Sequence, residues 1–261
     1  MIRKIQLYFL FLLFTCYGLD AAQMHAYLVC DTEASNIGYS VGENLENLRR
    51  ELYLASNYTG LELVEHIYSE KEATSQFLKD MKKLKVDRND VVIFYWAGHG
   101  YRTESKDNPW PSFSFANEWK GVDLNYVSQL LISKRPRLLL SWADTCNSYL
   151  PEYAAPPLAH KTHFAAADIP AEVVKANYEA LFLDSEGAYI ASSSIPGQYS
   201  WYKIVGGGYF TNSLIASLQH EVHRMEGTDW SYVLERARCD ESFDYLPEIQ
   251  TPQYQHLTFR R

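Results

Sequence analysis

Two continuous apolar runs, Val91-Val92-Ile93-Phe94-Tyr95-Trp96 and Leu138-Leu139-Leu140-Ser141-Trp142, constrain this chain more than any other feature. A strand with one wet face alternates apolar and polar side chains. Neither run does, so each reads as a strand buried on both faces, the kind found in parallel sheets covered by helices. Each run ends in small or turn-forming residues beside a side chain that can react. Ala97-Gly98-His99-Gly100 follows the first and Ala143-Asp144-Thr145-Cys146-Asn147 the second. Adjacent parallel strands bring both ends to one sheet edge, where ligands and chemistry gather in open α/β folds. A thiol needs a neighbouring base or cation to become a nucleophile near neutral pH, and a histidine supplies one. His99 and Cys146, 47 residues apart, are therefore expected to form a Cys-His dyad.

The rest of the chain alternates in the same way. His25 to Cys30 reads as a first strand and Leu61 to Tyr68 as a second, with a helix from Ser40 between them. Thr74 to Leu84, Val122 to Ile132, Phe210 to Val222 and Trp230 to Cys239 carry helical spacing, and Gly187 to Ser194 reads as a further strand. Thr251 to Phe259 is expected at a sheet edge, since Pro252 lies near its start. Strand-helix alternation implies helices on both faces of a mostly parallel sheet. Leu150 to Asp184 interrupts it with Ala-Pro-Pro and no sustained period. That segment is expected to be an irregular, functional or flexible connection, with a short helix inside Ile169 to Leu181.

Composition narrows the function. At 47% hydrophobic residues the chain can bury a large core, and a formal charge of −8 with no basic run argues against nucleic acid as the partner. Arg3 and Lys4, the apolar stretch Ile5 to Leu19 and then Ala21-Ala22 follow the order of a secretory signal peptide. Residues 1–22 are expected to be a leader, residues 23–261 one domain, and the protein exported to a secreted or periplasmic location. An uncleaved leader would anchor it to a membrane; with the leader removed, no integral span is expected. Without Cys16 three cysteines remain, so at least one thiol is free. Cys30 and Cys239 could pair, but each reads better as a small core residue. Gly206-Gly207-Gly208 before a helix could cradle an anion but reads better as a hinge, and His220-Glu221-Val222-His223 as a solvated helix end.

Four phrases resemble one family in order. Phe94-Tyr95-Trp96-Ala97-Gly98-His99-Gly100 is similar to the YSGHG element of the caspase-like cysteine peptidases, above all metacaspases and their bacterial relatives. Asp144-Thr145-Cys146-Asn147-Ser148 resembles their D-[SA]-C-H-S element. Ala191 to Ser194 with Gly207 to Thr211, and then Thr251-Pro252-Gln253, are similar to the later strand, the following helix start and the final strand. The chain departs from the pattern at Asn147, commonly histidine in metacaspases, and lacks the caspase phrase Q-A-C-x-G.

The resemblance implies a three-layer sandwich with about six strands and a cysteine endopeptidase acting on polypeptides. His99 and Cys146 would be catalytic, and the backbone N–H groups of Gly100 and Cys146 would form the oxyanion hole. Asp144, two residues before the nucleophile, would line the specificity pocket and favour Arg or Lys, with Asp31 as a second acidic wall. Asp31 reads better still as a loop-bracing carboxylate. A catalytically silent binding protein on the same fold is the alternative. No cofactor is required; calcium binding through Asp168, Glu172, Asp184 or Glu186 matches no loop motif. Relatives cut between the cysteine strand and the next one place activation in the Leu150 to Asp184 connection, at Lys161 or Lys175. Oligomeric state is left open.

Overall fold

The computed structural model describes residues 21–149, 169–203, 205–240 and 250–259. Residues 1–20 of the expected leader, Cys16 among them, and Lys161 and Asp168 lie outside these residues. A six-stranded sheet runs in the order β2-β1-β3-β7-β8-β9. Its members are β1 (Gln23–Cys30), β2 (Glu62–Ser69), β3 (Val91–Ala97), β7 (Leu138–Asp144), β8 (Gly187–Ser192) and β9 (Gln253–Leu257). The first five are parallel, and β9 pairs antiparallel with β8 at the edge.

Successive side chains on a strand point to opposite faces, and that alternation builds two cores. Val91, Ile93, Tyr95, Leu138, Leu140 and Trp142 pack with α1 (Gly38–Thr59), α4 (Ala171–Glu179), α5 (Tyr209–Val222) and α6 (Trp230–Arg238). Val92, Phe94, Trp96 and Leu139 pack with α2 (Phe77–Lys83) and α3 (Leu124–Ile132). Both faces of β3 and β7 are covered, which is why their sequences show no polar period.

The start of α3 differs from its reading in the sequence. Val122 belongs to a strand, and Asp123 caps the helix by accepting the Asn125 N–H at 2.7 Å. A three-stranded antiparallel sheet, β4 (His99–Tyr101), β5 (Ser112–Phe115) and β6 (Glu118–Asp123), was not foreseen. It lays Phe113 and Phe115 on Trp96, with ring centroids 4.7 and 4.9 Å away.

The described end of the connection is ordered as well. Helix α4 continues as a wider turn over Ala180–Asp184 and buries Val174, Tyr178, Leu181 and Phe182. The short helix expected there is present, and Lys175 sits on it, paired with Glu179 at 3.6 Å. Cys30 is a free core thiol as expected. Cys239 is exposed at the end of α6, with its thiol 3.4 Å from Glu235 Oε1, so it is not a core residue. Among the described residues no helix is long and apolar enough to cross a membrane.

Candidate active site

Register places the two reactive residues. Ala97, the last residue of β3, pairs with Asp144, the last of β7. His99 and Cys146 each follow two residues later, so both chains leave the sheet together. Their turns are tied: Gly98 N–H donates to Asp144 O at 3.4 Å, and Thr145 Oγ1 donates to Gly98 O at 2.8 Å. Gly98 has φ +154°, a backbone state that a side chain would strain. At Gly100 the close approach matters more than φ. A Cβ there would lie 2.2 Å from Thr145 Oγ1 and 2.7 Å from Cys146 O.

The loop that carries Cys146 is braced from the end of β8 and beyond. Ser193 Oγ accepts Thr145 N–H at 2.8 Å and donates to Thr145 O at 2.9 Å. Asn147, the departure from the family pattern, is buried and is a brace. Its amide donates to Pro109 O at 2.8 Å and Ser194 O at 3.2 Å, and its backbone N–H to Gln198 O at 2.9 Å. The change at this position supports the loop rather than opening it.

His99 begins β4 and is half-buried. Its Nε2 hydrogen-bonds Asn36 Oδ1 at 2.8 Å. Burial pushes its pKa below 6.5, and the carboxylate of Asp31 pulls it partly back. Cys146 is also half-buried, and its Sγ accepts the Ser200 N–H at 3.3 Å. Burial, with the charge of Asp144 adding to it, pushes the thiol up to about 11 against a partly offsetting hydrogen bond from Ser200. The structure brings the two backbones together, while each side chain hydrogen-bonds elsewhere, His99 to Asn36 and Cys146 to Ser200.

Asp144 is fully buried. One carboxylate oxygen accepts from Thr211 Oγ1 (2.6 Å), Thr211 N–H (3.2 Å) and Asn44 Nδ2 (3.3 Å), and the other from Ser200 Oγ at 2.7 Å. Every donor is neutral, so burial dominates and raises its pKa. Ser200 thus sits on this carboxylate, and the Tyr202 hydroxyl donates to the backbone Asp144 O beside it. Asp31 is also fully buried, and its Oδ2 accepts Ala116 N–H at 2.7 Å. It stands beside the Gly98 turn, so its charge acts on His99.

Two side readings are settled by contacts. Gly206 and Gly207 do cradle an anion, the carboxylate of Glu43, so this turn is anchored to α1. Glu221 is buried and ion-paired to Arg224 at 2.8 Å, so the end of α5 is partly enclosed. Among the described residues no group of three or more His, Cys, Asp or Glu stands where it could hold a metal ion. Nothing in the sequence singled out Asn36 or Ser200, because a short polar residue in a loop carries no period, nor Asn44, a polar residue buried on α1.

The family model described as caspase domain matches residues 41–260. The chain belongs to the caspase-domain family. That family is one of cysteine peptidases, and its span covers both His99 and Cys146. No relative among curated proteins matches. Of the solved structures, caspase-1 from Spodoptera frugiperda aligns with a TM-score of 0.55 over 92% of this caspase domain's chain and 89% of its own, at 14% identity. The likeness is one of fold: a mostly parallel sheet with helices around it.

Proposed function

We propose that the protein is a cysteine endopeptidase in which Cys146 is the nucleophile and His99 the proton carrier. The observation that carries this reading is the Ala97–Asp144 register, which puts a histidine and a cysteine two residues beyond paired strand ends. His99 Nδ1 takes the Sγ proton as Sγ attacks the substrate carbonyl carbon. The oxyanion is held by the backbone N–H groups of Gly100 and Cys146. His99 then protonates the leaving amine, the C–N bond breaks, and a thioester remains. Water, deprotonated by His99, attacks the thioester; Sγ leaves and regains its proton.

A resting thiol near 11 is almost wholly protonated at neutral pH, so proton transfer to a neutral His99 has to accompany attack. Burial keeps His99 neutral to lower pH than an ordinary imidazole, which suits it to that task.

Asp144 gives the preference for Arg or Lys in this account. It lies one covalent step from Thr145 and two from the nucleophile, and its negative charge is felt at Cys146. A substrate cation reaches it once Ser200 and Tyr202 move aside, exchanging neutral donors for a charged one. Asp31, beside His99, supports the base more directly than it walls the pocket. Turnover needs no metal in this reading, and the leader directs export. A panel of peptides differing only before the scissile bond tests the specificity. Arg and Lys peptides should be cut far faster than Asp peptides, and Asp144→Ala should lose mainly that discrimination. Efficient cleavage after Asp by the wild type would overturn it.

A further inference from the structure

The imidazole of His99 has one fixed partner, a side chain outside every phrase that marks the family. Its Nε2 lies 2.8 Å from Asn36 Oδ1. An amide oxygen can only accept, so Nε2 carries the ring proton and Nδ1 the lone pair of the neutral imidazole. Among the described residues the ring makes no other hydrogen bond.

Asn36 is exposed, yet the loop that carries it, between β1 and α1, is fastened along its length. Asp31 N–H donates to Ala97 O at 2.9 Å, and Asp31 Oδ2 accepts from the β5–β6 turn at Ala116. Thr32 Oγ1 accepts Glu70 N–H at 2.9 Å, and Glu33 Oε2 accepts from Asn117 Nδ2 at 2.6 Å. Gly38 N–H returns to Ala34 O at 2.7 Å and closes the entry to α1. The acceptor facing His99 is therefore held by β3, the small sheet and the end of β2 at once. A fixed acceptor selects one tautomer and restrains rotation of the ring.

Resting on the peptidase reading of His99, we propose that Asn36 is a positioning residue that holds His99 in the Nε2–H tautomer and presents the Nδ1 lone pair towards the Cys146 thiol. The opposite tautomer would offer an N–H to sulfur and could not accept the thiol proton. Loss of Asn36 therefore removes base competence without removing the base. The charged groups that bear on the ring are Asp31 at the end of β1, which acts on it directly, and Glu33 in the same loop, which acts on Asp31. None of these is altered by a change at Asn36.

The test compares wild type, Asn36→Ala and Asn36→Asp by 15N NMR of His99, by iodoacetamide labelling of Cys146 located by peptide mapping, and by the pH profile of kcat/KM. The wild type should show a protonated Nε2 and a bare Nδ1. Asn36→Ala, a change at an exposed residue, should give mixed tautomers and about tenfold slower labelling and turnover near pH 7. Asn36→Asp keeps an acceptor for Nε2–H, so it should restore the tautomer and move the acid limb of the profile upward, because a carboxylate favours imidazolium. A folded Asn36→Ala with the wild-type tautomer and labelling rate would overturn the proposal. NMR and labelling need no substrate, so a wild type that cuts no peptide would defeat the peptidase reading and leave the tautomer result standing on its own.

Discussion

At the scale of single residues the site depends on close backbone approach. Gly100→Ala would push a methyl group into Thr145 Oγ1, Cys146 O and Ser112 O, all within 2.9 Å of the Cβ position, two of them backbone atoms. Activity should fall by roughly a hundredfold or more, the scale of a displacement of about 1 Å at a reacting centre; near-wild-type kcat/KM would show that the approach does not matter. The two titrations give separate pH signatures. Burial lowers the pKa of His99, so the base form persists into mild acid, and the acid limb of kcat/KM should lie below the ordinary 6.5. Burial raises the Cys146 thiol to about 11, so labelling of the resting enzyme should keep accelerating above pH 9, where an ordinary thiol has levelled off. A labelling profile that saturates near pH 8.5 would contradict that environment.

At the scale of elements, what the sequence made legible was whatever had a period or a continuous apolar run. β3 and β7 were readable because burial on both faces leaves no polar alternation, and α5 and α6 because their buried residues recur at helical spacing. The small sheet was not, because β4 spans three residues and β5 four, with glycine, serine and proline around them. Its place is set by Phe113 and Phe115 docking on Trp96, a contact that no local pattern announces. The pairing of α1 with α4 is similarly hidden. Glu51 on α1 is buried and accepts from Tyr178 Oη at 2.7 Å and Gln219 Nε2 at 2.6 Å. Tyr178→Phe leaves that carboxylate short of a donor and should destabilise the fold by about 1–3 kcal/mol in urea melts. Burial raises the folded-state pKa of Glu51, so the proton it retains favours the fold at low pH. That contribution is lost as pH rises from 4.5 through the raised value, and Glu51→Gln should remove this part of the pH dependence of stability.

At the scale of the whole molecule, the placing of His99 and Cys146 just beyond two paired strand ends was legible in the sequence, and the surroundings of Asp144 were not. The carboxylate is reached from Asn44, Ser200 and Thr211, residues 100, 56 and 67 positions away in the chain, so only the folded sheet edge assembles its surroundings. Autoproteolysis, if the connection controls opening of this edge, should respect secondary structure. Lys175 lies in a helix and is paired with Glu179, whereas a protease needs extended backbone. Mass spectrometry of active enzyme should therefore find a new C-terminus at Lys161 and not at Lys175, and Cys146→Ala protein should remain one chain. Full-length wild type with undiminished activity would remove cleavage from the account. Chelation by EDTA should leave turnover unchanged, and a calcium-restored loss would show that a cation is needed. The central claim is that Cys146 attacks peptide carbonyls. It is tested most directly by hydrolysis of an internally quenched peptide with Arg before the scissile bond, using wild type and Cys146→Ala at equal concentration. The wild type should cut it and the variant should lose roughly a thousandfold or more of that rate. Equal rates from the two proteins would contradict the assignment.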